Sequence, residues 1–222
     1  MPASISGTRL PLPGRQIIGA IAMLWLAGAG SHAAATDGPP AKPAAGGEAR
    51  LAPFTGEYRV RYSALPFGAR GERSLVREGE HWVFRSGIEA PLLSLRQETR
   101  LAATPALRTL EYRYRQGGLA GRRERLVTFD RAAGIVQRSG DKERQHPLVE
   151  PAWDPLGWQL ALRRELIRDH PDLAGRYRYR VSDGGSYEDY SFTPGVRETI
   201  TVPAGTFEAL RLTRAPVPAG EE

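Results

Sequence analysis

His146, Glu150 and Asp154 recur at a spacing of four. On a helix this would stack an imidazole and two carboxylates on one face, the donor set of a divalent-metal site. Pro147 and Pro151 forbid a regular helix there, so the spacing loses its meaning and no metal site is expected. Glu188 and Asp189 supply two adjacent acids, but neighbours on a strand point to opposite faces. They cannot converge as a glycoside-cleaving pair without a second carboxylate from elsewhere. Ser182-Asp183-Gly184-Gly185-Ser186 sets serine beside an acid, yet no nucleophile elbow surrounds it and no histidine adjoins it. It reads as a turn. His81 and His170 stand at the ends of elements, and His32 lies near the N-terminus, which leaves little general-base capacity among 4 histidines. No enzyme chemistry and no cofactor is expected.

Two constellations remain. Aromatic side chains concentrate on what should be a single face: Tyr58, Tyr62, Trp82, Phe84, Tyr112, Tyr114, Tyr177 and Tyr179. They either fill a core or line an apolar cavity with hydroxyls at its mouth, suited to a lipid-like ligand. The lining candidates are Tyr58, Val60, Tyr62, Tyr112, Tyr114, Trp158, Tyr177 and Tyr179. The opposite face carries Arg59, Arg61, Arg113, Arg115, Arg176, Arg178 and Arg180. Such a row either keeps a β surface soluble or attracts anionic groups of a cell envelope.

The elements that hold these residues have a period of two. Glu57–Tyr62, Leu110–Arg115 and Arg176–Val181 alternate apolar with charged residues, as half-buried antiparallel strands do. Further strands are expected near 73–77, 82–85, 93–101, 123–129, 187–192, 198–202 and 207–212, separated by glycine-bearing turns. The segment 154–169 breaks the pattern. Asp154 suits an N-cap and Pro155 the first helical position, while His170-Pro171 stops the helix. Leu156, Leu160 and Ile167 form one apolar arc, and Trp158, Ala161, Leu162 and Leu166 another, so the helix should be buried on two sides. Truncating Trp158 to alanine should then cost ~3–5 kcal/mol, against ~1 kcal/mol for Asp154 acting as a simple cap. The expected fold is mainly β: a single curved antiparallel sheet or half-barrel of about ten strands, with one helix (154–169) packed in or over its concave face.

The N-terminus sets the compartment. Arg9 and Arg15 precede an apolar run, Ile17–Gly30, and small residues follow at Ser31, Ala33, Ala34 and Ala35. That order describes a cleavable signal peptide over 1–33, too short for a permanent bilayer span. A linker rich in Ala, Gly and Pro follows over 34–51, and the β-rich domain should occupy 52–215. The expected location is the periplasm, with no integral membrane span after cleavage. With Cys 0 there is neither a lipidated cysteine nor a disulfide, so apolar packing must hold the fold. The net charge is +6, and all but Lys42 and Lys142 of the 31 basic residues are arginine. Asp and Glu are spread evenly among them, which with the export signal argues against a nucleic-acid partner.

Several short stretches, in this order, resemble a family of bacterial periplasmic proteins known as domain of unknown function 3108. They are Phe54-Thr55-Gly56-Glu57-Tyr58, Leu107–Tyr112, Phe129-Asp130-Arg131 with Gly134-Ile135-Val136, Asp154–Leu160, and Val202–Phe207. The resemblance implies a signal peptide, a curved antiparallel sheet with one helix, and no established activity. Its architecture is similar to that of periplasmic lipoprotein carriers, a half-barrel covered by helix. Family members usually continue with further strands beyond the equivalent of Leu212. Here 216–222 reads as a tail, with those strands either lost or truncated. The function expected is a non-enzymatic envelope domain that binds or carries an amphipathic or lipid-like molecule. The alternative is a protein–protein interaction module that offers an exposed sheet edge to an envelope partner.

Overall fold

The computed structural model describes residues 51–60, 68–104, 106–119, 121–168, 175–202 and 204–215. The expected signal peptide, most of the expected linker, Arg61, Tyr62, Asp169, His170 and the tail at 216–222 lie outside the described residues. Two compact units are formed. The larger takes in the described residues up to Pro194 together with Thr213–Ala215, and the smaller is the segment Gly195–Leu212.

The larger unit opens as an antiparallel meander of eight strands. These are β1 (Phe54–Val60), β2 (Ala69–Glu78), β3 (His81–Ala90), β4 (Leu93–Ala102), β5 (Arg108–Gly118), β6 (Arg123–Asp130), β7 (Ile135–Gly140) and β8 (Arg144–Pro147). They pair in chain order, and the sheet does not close on itself. Every strand expected from the sequence has a counterpart, whereas β7 and β8 are among those not anticipated. A bulge at Arg100/Leu101 shifts the β4–β5 register and keeps both Thr109 and Tyr112 on the inner face.

A second sheet has the order β12-β11-β10-β9. Its members are β9 (Ala152–Trp153), β10 (Tyr177–Ser182), β11 (Tyr187–Val202) and β12 (Gly205–Ala215), with β9 parallel to β10 and β10 antiparallel to β11. The expectation of a mainly β, antiparallel fold with one helix holds, but among the described residues twelve strands divide between two sheets where about ten were expected in one. Period-two patterning shows that strands pair; it does not show which sheet they join. The strands expected at 187–192 and 198–202 are a single one, since β11 runs through Pro194-Gly195.

The helix α1 (Trp158–Arg168) follows a turn at residues 155–157, so it starts later than the expected 154. It packs on two sides within the larger unit. Gln159 accepts a hydrogen bond from Arg73 on the inner face of β2 (2.9 Å), and the Arg163 guanidinium lies over the Phe54 ring of β1. Trp158 and Glu165 face β10 and β11. Trp158, Leu160, Ala161, Leu162 and Leu166 are buried, as is Leu156 just before them. Ile167 departs from the expected arc and is 48% exposed. Among the described residues no helix is long and apolar enough to cross a membrane.

The smaller unit is a hairpin. Thr199 donates to Glu208, Thr201 and Thr206 share a hydrogen bond (3.1 Å), and Arg211 pairs with Glu198 (2.6 Å), all across its two strands.

Candidate functional site

The inner face of the large sheet is laid down by cross-strand neighbours. Leu75 faces Phe84, Phe84 faces Thr99, Thr99 faces Tyr112, and Tyr112 faces Val127. Leu75, Phe84, Leu101, Val127 and Val136 have no surface that a water-sized sphere can touch, from outside or from an internal void. Tyr112 is nearly as closed, and its hydroxyl accepts from Gln97 Nε2 (2.8 Å). Burial, with the nearby Asp154 carboxylate second, pushes the Tyr112 phenol well above its ordinary range.

Asp154 forms the polar centre of this interior. It is fully buried, and its two oxygens divide the work. Oδ1 accepts from the backbone N–H of Leu156 (2.8 Å) and Gly157 (2.9 Å), capping the turn that leads into α1. Oδ2 accepts from the hydroxyls of Thr99 on β4 and Thr109 on β5, both at 2.7 Å. Burial raises the carboxyl above its usual range, against the pull of these four donors. Gly157 is required by the same geometry: a Cβ there would lie 2.4 Å from Oδ2 and 3.1 Å from the Thr109 hydroxyl. The cap was legible in the sequence. The sheet-facing half of the carboxylate was not, because Thr99 and Thr109 stand 55 and 45 residues away.

The candidate lining residues fall into separate groups. Tyr112 and Tyr114 lie buried on β5; the Tyr114 hydroxyl donates to Gln116 (2.6 Å), and the Arg125 guanidinium covers its ring at 4.3 Å. Tyr177 and Tyr179 lie buried on β10 of the other sheet. Trp158 reaches that second group. It stacks on Phe192 with centroids 4.8 Å apart, meets Tyr190 edge-on at 5.5 Å, and approaches Tyr179 at 6.0 Å. Tyr179 donates to Glu165 on α1 (2.8 Å), and burial followed by the Glu165 charge raises its phenol strongly. Tyr58 stands opposite Gly71, whose missing Cβ leaves room for the phenol ring across the strand pair. Val60 pairs with Ala69 at the end of β1.

The would-be metal triad is dispersed. His146 turns toward Ser182, Glu150 binds Arg131 (2.8 Å) and accepts from the Ala152 N–H, and Asp154 occupies the core. Among the described residues no three His, Cys, Asp or Glu side chains are grouped to hold a metal ion.

One pairing was missed entirely. His146 Nε2 lies 2.8 Å from Ser182 Oγ, while Nδ1 lies 3.0 Å from the Pro147 carbonyl. A serine hydroxyl on one ring nitrogen and a carbonyl on the other resembles the base end of a nucleophilic dyad. Ser182 has no accessible surface, however, and its Oγ also accepts from the Gly184 N–H (3.0 Å). The arrangement therefore anchors the β10–β11 turn to β8. Arg125 and Arg138 hold the same turn through Asp183, at 2.7 and 3.7 Å.

Three of the outer arginines are matched by acids. Arg113 pairs with Glu111, Arg115 with Glu124 and Arg180 with Asp189. A polar groove on this face, lined by Glu78, Val83, Glu98, Arg100, Glu111 and Arg113, is bordered by the Arg85 bridges to Glu78 and Glu98. It is a solvated charge ladder.

Comparison with known families matches residues 57–221 to one described as "Protein of unknown function (DUF3108)". No curated protein and no solved structure matches the chain.

Proposed function

The chain belongs to the DUF3108 family, and on that premise we propose that it is a non-enzymatic binding module of the cell envelope that recruits a partner protein by strand addition. The observation that carries this reading is the open, uneven set of sheet edges. Among the described residues β1 pairs only with β2, and β12 only with β11. β1 runs for 7 residues and β12 for 11, long enough to template another strand. The remaining edges are poor templates: β8 has 4 residues ending in Pro147, and β9 has 2. The N-terminal signal pattern supports an envelope location.

The packing weighs against the other reading, a carrier of an amphipathic or lipid-like molecule. Tyr112, Trp158, Tyr177 and Tyr179 are buried against protein atoms, which leaves their faces no ligand to meet.

A proline scan along residues 55–59 and, separately, 206–211 tests the proposal. Alternate positions on an edge strand donate their N–H outward, so proline there removes a recruiting hydrogen bond and spares the internal ladder. A photo-crosslinker at Glu57 or Glu208 should capture a partner in cells, and outward prolines on that edge should abolish capture with little loss of stability. Capture unaffected on both edges overturns strand addition. Lipid recovered at fixed stoichiometry by native mass spectrometry would favour the carrier instead.

A further inference from the structure

Exposed large apolar side chains are few among the described residues, and three of them gather at one end of the large sheet. Leu92 (46% exposed) and Leu93 (37%) sit at the β3–β4 turn, and Leu119 (81%) follows β5. The two loops are built as one tip. Leu93 pairs with Gly118, and the Leu119 N–H donates to the Leu92 carbonyl at 3.1 Å. Gly118 has φ of 115°, and a Cβ there would lie 2.2 Å from the Leu92 carbonyl oxygen. Only glycine allows this approach. The leucines are therefore held outward on a fixed backbone.

The surroundings of the tip are basic. Arg96 and Arg115 stand opposite each other on β4 and β5, and Arg122 and Arg123 follow in the β5–β6 connection and the first position of β6. Arg122 is 86% exposed and Arg96 is 72% exposed. Against these four arginines stand Glu89 and Glu124, which leaves the collar net positive. Apolar side chains at the apex of a rigid loop, with guanidinium groups just behind them, match the layering of an anionic bilayer: acyl region first, phosphates next. A soluble protein partner would be met more usually by a flat aromatic patch than by a leucine apex collared with arginine.

We propose that the Leu92–Leu93–Leu119 tip docks this domain onto the surface of an anionic phospholipid bilayer. This goes beyond strand addition and does not depend on it. The leucines enter the headgroup–acyl boundary, roughly 5–10 Å deep, while the arginines bind lipid phosphates. Recruitment of a partner strand would then take place at a membrane surface.

The chain has Cys 0, so a single introduced cysteine reports one position. Leu119→Cys, carrying an environment-sensitive fluorophore, should shift to the blue on phosphatidylglycerol vesicles and not on phosphatidylcholine vesicles. The shift should be lost when Leu92→Asp and Leu93→Asp are added, and it should weaken at high salt. The same label on Ala133→Cys, in the β6–β7 turn at the opposite end of the sheet, should stay unshifted. In sedimentation, the doubly aspartate-substituted chain should bind these vesicles at least about tenfold more weakly, given the apolar area withdrawn. These leucines are exposed, so unchanged melting would confirm that the fold is intact. A blue shift equal at both label positions, equal binding to both lipids, or a shift that depends on protein concentration without vesicles would each overturn the proposal. The last result would identify the tip as a contact between copies of the chain.

Discussion

Replacing Asp154 with alanine removes one carboxylate and leaves four buried donors behind. The N–H groups of Leu156 and Gly157 lose their acceptor, and so do the hydroxyls of Thr99 and Thr109. The Thr99 hydroxyl keeps a second acceptor at the Glu111 carbonyl (3.3 Å), so it is partly satisfied. The two backbone donors have no such alternative among the bonds described, and each stranded group costs ~1–3 kcal/mol. With some relaxation the total should reach about 3–5 kcal/mol, well above the ~1 kcal/mol expected of an exposed cap. Asp154→Asn distinguishes the reasons. The amide oxygen can still cap the turn, and the amide nitrogen can donate to hydroxyls that rotate to accept. It also removes the charge whose burial raises the carboxyl. Its cost should be ~1 kcal/mol or less by the same accounting. Urea melts of the two variants, with Thr99→Val and Thr109→Val in double-mutant cycles, measure each part. An Asp154→Ala cost near 1 kcal/mol, or no coupling to either threonine, would show that the carboxylate acts only as a surface cap.

Trp158→Ala should cost ~3–5 kcal/mol by calorimetry or urea melt, because its ring is closed in by Phe192, Tyr190 and Tyr179. Gly157→Ala should destabilise by ~1–3 kcal/mol, since its Cβ would press on the buried Asp154 carboxylate; a thermal melt equal to wild type would refute the close approach. Partial burial pushes the Asp141 carboxyl up, but Arg138 at 2.7 Å outweighs it and holds the group below its ordinary range. A depressed folded-state pKa gives stability that is present above the unfolded value and lost as pH falls through the folded one. Asp141→Asn should therefore lower Tm at pH 7, with the difference shrinking in melts taken progressively below pH 4.

The sequence alone determined the class of structure. Strict alternation in Glu57–Val60, Leu110–Arg115 and Tyr177–Val181 specifies half-buried strands, because a period of two has no other economical burial. Asp154-Pro155 specifies a helix start through local hydrogen bonding, and the apolar positions of α1 specify burial on two sides. The family was legible in the order of short stretches matched over 57–221. Only the tertiary structure decided which strands share a sheet, because pairing depends on chain trajectory and alternation is the same in either sheet. It alone brought Thr99 and Thr109 to Asp154 and Ser182 to His146, contacts across 36 to 55 residues with no local signature. It also decided that the tyrosines pack in separate groups, and that Leu92, Leu93 and Leu119 meet at one exposed apex. A side chain's type limits what it can bond. Its neighbours in space determine which of those bonds it makes.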